Sequence, residues 1–461
     1  MKRRIAATAM VLVMLVCAFG GCKAKEPEEK VIRVMSYNDG ILTLVQTYLD
    51  MHPELGYTVE MAYPHYATIE IDYEGLLDDM LTGEYETTPD IYVAEAGQVA
   101  KYGKGSLSSY AATYDELGIL TEQLIKESQT AAYAVEVGTR TSDGNVVALP
   151  YMSGAGCFIY RRSIAKEVWG TDDPAVIQEK IGGGSGNWDA FWTAAEELKQ
   201  KGYAAVSGDG DLWYAMKNNM DAAWVVDGEL NLSPEREAFL DVSGRLTDNG
   251  YSNGTVDWSD AWFADMAGEG EKEVFGFFGP FWLITYNMSM YYYCGDDPST
   301  EAFEGTYGDW AVCNAPVGFY WGGEWVLAHK DVADMEKKDV VADILKWMMT
   351  LEYDENSLQY LLANGLYEPN QGVKEAVVSG TVMEKADGSM EFLGGQNMFE
   401  YYAKANNQEM KIHITEYDAA IDTLWRNAVR EYAQGEKSRE EAIAGFKEAV
   451  KTKVDIRGTE N

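Results

Sequence analysis

Between Gly308 and Trp325 the chain reads Gly-Asp-Trp-Ala-Val-Cys-Asn-Ala-Pro-Val-Gly-Phe-Tyr-Trp-Gly-Gly-Glu-Trp. Tyr320, Trp321 and Trp325 bring aromatic faces to one place, Gly322 and Gly323 let the backbone turn and approach closely, and Glu324 adds a carboxylate. That combination suits a neutral, hydroxyl-rich ligand. A pyranose packs its polarised C–H face on an aromatic ring for about 0.5–1.5 kcal/mol beyond area burial, and carboxylates accept strongly from its hydroxyls. A hairpin corner whose aromatics plug the core has the same composition, so this stretch alone leaves both readings open.

Residues of the same chemistry recur along the chain. Trp282 follows Gly279-Pro280, Trp258 sits in Asp-Trp-Ser-Asp, and Trp224 closes an aromatic segment; with Trp321 these are the stacking candidates. The polar candidates are Asn38, Asp39, Glu95, Tyr151, Glu324, Gln396 and Asn397, with the Gly323 backbone beside them. Core burial explains a tryptophan equally well, and a polar residue just after a strand often caps a helix.

Other chemistries find little support. There is no G-x-S-x-G elbow, no H-E-x-x-H and no complete P-loop, and His52, His65, His329 and His413 lack metal-ligand spacing. Gly182-Gly183-Gly184-Ser185-Gly186 has no following Lys-Ser or Lys-Thr and reads as a lead-in to a helix. Asp209-Gly210-Asp211 lacks the remaining ligands of a calcium loop. No catalytic residue, metal or cofactor is expected. An exported glycosidase is the rival class, but among 75 acidic residues a carboxylate pair arises by chance. Against 37 basic residues those acids give a net charge of -38, which argues against nucleic acid and against adsorption on anionic lipid.

The elements that must position these residues follow from periodicity. Val31–Tyr37, Tyr57–Tyr63 and Pro89–Ala94 read as strands alternating with helices over Ile41–Met51 and Leu76–Leu81, which implies a parallel sheet covered on both faces. Ligands of such sheets sit beyond the carboxyl ends of the strands, here at Asn38, Asp39 and Glu95. Val146–Gly154, bent at Pro150, reads as the chain crossing between lobes. Val274–Trp282 reads as a strand running into a Gly-Pro turn, and Gly394–Asn397 as a polar turn. Further helices are expected over Trp188–Lys201, Asp339–Leu351 and from near Thr415, the last carrying Tyr417, Ile421, Leu424, Trp425, Ala428 and Tyr432 on one face. A capping box, Ser438-Arg439-Glu440-Glu441, opens the final helix.

Lys2, Arg3 and Arg4, the apolar run Ile5–Phe19 and Gly20-Gly21 before Cys22 form an export signal too short to span a membrane comfortably. Phe19-Gly20-Gly21-Cys22 resembles a bacterial lipobox, with Phe19 in place of the usual aliphatic residue. Cys22 would be lipidated and become the first mature residue, and Lys23–Lys30 reads as a tether. Cys157, Cys294 and Cys313 form no C-x-x-C pair and read as buried apolar residues, with a Cys294–Cys313 bridge left open.

The lipobox, the first strand and helix, the Leu149-Pro150-Tyr151 crossing, the Val274–Trp282 strand with its Gly-Pro-x-Trp turn, the Ala315-Pro316 to Gly322-Gly323 return and the closing helices occur in a characteristic order. In that order the chain resembles the family 1 extracellular solute-binding proteins of the maltose-binding type. The resemblance implies a two-lobed α/β periplasmic-binding-protein-like fold (type II) with ligand in a cleft between lobes. It places residues 31–149 and 317–362 in one lobe and 150–316 and 363–461 in the other, after a signal peptide (1–21) and a tether (22–30). It implies a monomeric lipoprotein at the outer face of the cell membrane that captures a sugar or oligosaccharide and delivers it to the permease subunits of an ABC importer. A peptide or other non-sugar ligand in the same fold is the alternative.

Overall fold

The computed structural model describes residues 30–63, 73–289, 305–350, 354–368 and 371–456. The export signal, Cys22, its tether apart from Lys30, and Cys294 lie outside these residues. In chain order the strands are β1 (Val31–Met35), β2 (Thr58–Met61), β3 (Ile91–Glu95), β4 (Leu149–Pro150), β5 (Gly156–Arg161), β6 (Val225–Val226), β7 (Glu229–Leu230), β8 (Gly276–Pro280), β9 (Trp310–Cys313), β10 (Glu324–Ala328), β11 (Ser389–Met390) and β12 (Gln396–Asn397).

The first sheet has the order β2-β1-β3-β10-β4. β1 runs parallel to β2 and β3, as strand–helix alternation predicts, but β10 enters antiparallel between β3 and β4, so the sheet is mixed. Helix Gly40–Met51 packs on it through Ile41, Leu44, Val45, Tyr48 and Leu49, a stripe at helical spacing.

The second sheet, β8-β5-β9, is antiparallel throughout. Period-two alternation divides its side chains between two cores. Cys157, Ile159, Phe277, Trp310 and Val312 join the apolar core that also surrounds the first sheet. Phe158, Tyr160, Phe278, Ala311 and Cys313 face a second core covered by helices Asp189–Gln200, Phe239–Asn249, Asp418–Ala433 and Arg439–Lys453. The final helix has its capping box: Ser438 N–H donates to Glu441 Oε2 at 2.9 Å, and Glu441 N–H to Ser438 Oγ at 3.3 Å.

The chain crosses between sheets from β4 to β5 and returns from β9 to β10. The stretch at Gly308–Trp325 is therefore a crossing and no hairpin. Two segments depart from expectation. Past β8 there is no Gly-Pro turn: Pro280 ends the strand, and Trp282 precedes a π-helical segment, Leu283–Met288. Helices Leu358–Ala363 and Gly380–Lys385 stay with the first sheet's helices, Ala131 N–H donating to Val378 O at 3.1 Å and Ser379 Oγ to Ser128 O at 2.8 Å. The apolar run Val377, Val378, Val382 and Met383 holds them to that core, so the chain leaves it well after residue 362.

Candidate functional site

One pocket of about 220 Å³, partly open to solvent, is walled by both lobes and by the β9–β10 crossing. Glu95, Ala96 and Gly97 reach it from the end of β3, Tyr214 and Lys217 from helix Asp209–Lys217, Tyr320, Trp321 and Gly322 from the crossing, and Asp418 and Asp422 from helix Asp418–Ala433. β3 ends here because its backbone turns: Ala96 N–H donates to Gly323 O at 3.1 Å, and Gly97 N–H to Glu95 Oε2 at 2.8 Å. A Cβ on Gly97 would stand 3.1 Å from that oxygen and 3.4 Å from Ala419 Cβ, so glycine lets the strand tip approach the Asp418 helix. Nearby, Ser106 Oγ donates to Glu416 Oε2, two residues before that helix, at 2.5 Å.

Aromatic rings meet along the crossing. Tyr214 stacks on Trp321 with centroids 3.9 Å apart and planes 13° apart. Trp282 stands edge-on to Trp321 at 4.8 Å and donates its indole N–H to Trp321 O at 2.9 Å. Gly322 has φ +66°, and a Cβ there would lie 3.1 Å from Trp282 Nε1, so this packing requires glycine. Trp258 lies parallel to Trp282, 6.0 Å away; it is 51% exposed and holds φ +66°, an unusual backbone for an aromatic residue.

The pocket's carboxylates differ in how they are held. Asp422 accepts from Trp224 Nε1 at 2.6 Å and pairs with Lys217 at 3.2 Å. Trp224 thus reaches the pocket, although it is buried in the second core. Asp418 accepts from Thr415 N–H at 3.1 Å and Thr415 Oγ1 at 2.5 Å, both on Oδ1. Burial, with the charge of Asp422 adding, pushes its carboxyl up to about 7. Burial also raises Glu95, against the lowering effect of the Gly97 amide.

Beside the pocket, the structure gathers Asn38, Tyr151 and Glu324 with Tyr37. Glu324 accepts from Tyr37 Oη at 2.5 Å, Asn38 Nδ2 at 3.1 Å and Tyr151 Oη at 2.9 Å. Glu324 faces Glu95 across the β3–β10 register, and like charges so placed repel; these donors stabilise Glu324 there. Trp325 is fully buried and donates to Ala134 O at 3.1 Å.

Of the polar candidates Glu95 alone lines the pocket, and Asp39, Gln396 and Asn397 belong neither to it nor to the Glu324 group. Asp39 is exposed at the start of helix Gly40–Met51 and makes no side-chain cap bond. Gln396 binds Val312 through both amide atoms, each at 2.8 Å, and fastens β12 beside β9. Asn397 Oδ1 accepts from Gly388 N–H at 3.1 Å and Phe399 N–H at 3.0 Å, shaping the β11–β12 corner. Gln396 thus commits both amide atoms and Asn397 its Oδ1 to backbone groups, and neither residue lines the pocket. Asp211 likewise serves architecture, accepting from the Ser207 and Gly208 amides at 3.2 and 3.1 Å. No group of acidic, histidine or cysteine side chains among the described residues is arranged to hold a metal.

Sequence reasoning misses Tyr214, Lys217, Asp418 and Asp422. A signal for the acidic pair exists: Asp418, Asp422 and Arg426 recur every four residues along the edge of the apolar stripe of their helix.

No family model matches the chain, and no curated protein matches it. Solved structures do. A crystal structure of an extracellular solute-binding protein family 1 is similar over 92% of this chain and 99% of its own, with TM-score 0.70 and 18% identity. The galacto-N-biose-/lacto-N-biose I-binding protein of an ABC transporter from Bifidobacterium longum, in complex with lacto-N-biose, matches 94% of this chain and 98% of its own, with TM-score 0.61 and 17% identity. The sugar-binding protein MalE from Xanthomonas citri matches 92% and 96%, with TM-score 0.62 and 11% identity. The chain has the two-lobed α/β fold of these solute-binding proteins, and its pocket lies where the lobes and a crossing meet.

Proposed function

We propose that this chain captures a sugar or oligosaccharide between its lobes and delivers it to an ABC importer. One observation carries the reading: the Trp321 and Tyr320 rings stand in the same pocket as carboxylates drawn from both lobes, Glu95 from one and Asp418 and Asp422 from the other. Rings suit the C–H faces of a pyranose and carboxylates its hydroxyls. Trp282 and Trp258 continue the aromatic surface past Trp321 and suit a second sugar ring, while Gly323 and the Glu324 group with Asn38 and Tyr151 lie next to the Glu95 strand end. Structures of the same fold carry sugars, among them β-1,6-galactobiose and lacto-N-biose. Closure of the lobes on ligand is a population shift toward the form that binds more tightly.

In this reading the protein binds without turnover, acts as a monomer outside the cytoplasm, and is held to the cell membrane by lipid on Cys22 while it meets the permease subunits. Titration calorimetry against neutral mono- and oligosaccharides and a set of peptides tests it. Sugar binding with the sugar recovered intact is expected. Tight peptide binding with no sugar bound would overturn the ligand class, and released hydrolysis products would overturn binding without turnover. Cys22→Ser is expected to move the protein from the membrane fraction to the medium.

A further inference from the structure

Counted with Asp418 ionised, the pocket is short of one positive charge among the described residues. Glu95, Asp418 and Asp422 face it together with Lys217, Arg236, Lys411 and Arg426. Arg426 is held by Asp257, and Lys411 by Asp221 at 2.5 Å, neither acid belonging to the pocket. Only Lys217 and Arg236 remain to balance the three carboxylates. Asp422 is satisfied by Lys217 and the Trp224 indole. Asp418 keeps Oδ2 without a hydrogen bond, Glu95 keeps Oε1 likewise, and neither forms an ion pair among the described residues. Arg236 does not answer them directly: its guanidinium lies 4.3 Å over the Trp224 ring and donates to Ala223 O at 3.4 Å.

A second feature points to the same place. Tyr320 lines the pocket at 4% exposure, its ring stacked on Tyr133 at 5.1 Å and its N–H donating to Asn218 Oδ1 at 3.0 Å. Its hydroxyl has no hydrogen-bond partner among the described residues. Asp418 and Glu95, from opposite lobes, both act electrostatically on that phenol, which burial and these charges hold well above its ordinary range. A phenol oxygen and two carboxylate oxygens make an acceptor set for three donors carrying one positive charge. A primary ammonium presents that group, whereas a sugar hydroxyl offers one donor and no charge.

We propose that the preferred ligand is an amino sugar whose primary ammonium is held by Asp418, Glu95 and the Tyr320 hydroxyl. This deepens the sugar-binding reading and rests on it. Calorimetry on the mature protein with matched sets tests it: glucosamine, glucose and N-acetylglucosamine, and the corresponding galactose and mannose sets. At least one free amine is expected to bind about tenfold or more tightly than both its neutral and its N-acetylated counterparts, because acetylation removes the charge and two of the three donors. In Asp418→Asn, which keeps an acceptor for Thr415, and in Glu95→Gln, the ratio of amine to neutral affinity is expected to fall toward one with no loss of melting temperature. Neutral or N-acetylated sugars bound as tightly as the amines would overturn the ammonium site and leave the sugar reading standing. Binding of no sugar in the sets, nor in the neutral oligosaccharide panel, would overturn both.

Discussion

Two carboxylates within one lobe, Glu324 and Glu95, face each other across neighbouring strands yet are treated in opposite ways. Glu324 accepts from two tyrosines and an asparagine. Glu95, which lines the pocket with Asp418, accepts from the Gly97 amide and has no side-chain donor among the described residues. The contrast recurs in the second lobe, where Arg426 and Arg430 together hold Asp257. Burial acts to raise that carboxyl, but the hydrogen bonds and charges of the arginines hold it below its usual range. Asp418, one helix face away, is raised. Acids whose partners are complete build the frame, and acids whose partners are incomplete face the place where a ligand would complete them.

The largest expected effect comes from breaking a complete set. Arg426→Met leaves Asp257 with only Arg430 and the Tyr214 hydroxyl and is expected to destabilise the protein by about 3 kcal/mol in urea denaturation. A change near zero would mean that Asp257 does not depend on its partners, and the contrast would fail. Glu324→Ala orphans the donors of Tyr37, Asn38 and Tyr151, with an expected loss of about 2 kcal/mol by the same measurement.

Asp418→Asn sharpens the other half. Its carboxyl sits near 7 in the fold, above its ordinary value, so the stability tied to its proton is present at pH 4 and is lost as pH rises through 7. The half-buried setting limits the size, and Asp418→Asn is expected to be more stable than the parent by about 1 kcal/mol at pH 8 and equal to it near pH 4. Equal stability at both values would show Asp418 ionised without strain. The smallest effect is expected at Trp258, where Trp258→Gly relieves a left-handed backbone while losing the contact with Trp282. Thermal unfolding should register a net change within about 0.5 kcal/mol, and a large loss would make Trp258 part of the frame.

Much of this contrast was legible in the sequence at the level of elements and little of it at the level of partners. The crossing at Ala315–Gly323, the strand ending at Glu95 and the closing helices follow from periodicity and from glycine and proline punctuation. Trp321, Glu95 and Trp224 do reach the pocket. Whether an acid is complete depends on residues far away in the chain, such as Tyr37 and Tyr151 for Glu324, and local pattern carries no such information. The same holds for Gln396 and Asn397, whose polar side chains in a glycine turn resemble ligand groups but have backbone partners at Val312, Gly388 and Phe399 that no local pattern announces. Asp418 and Asp422 were overlooked because their helix announces its apolar stripe more strongly than its polar one.

A crystal structure of the mature protein with bound sugar tests the central claim most directly. The account predicts sugar density between Glu95–Gly97 and Asp418–Asp422, against Trp321. A sugar bound elsewhere, with that pocket filled only by water, would contradict it.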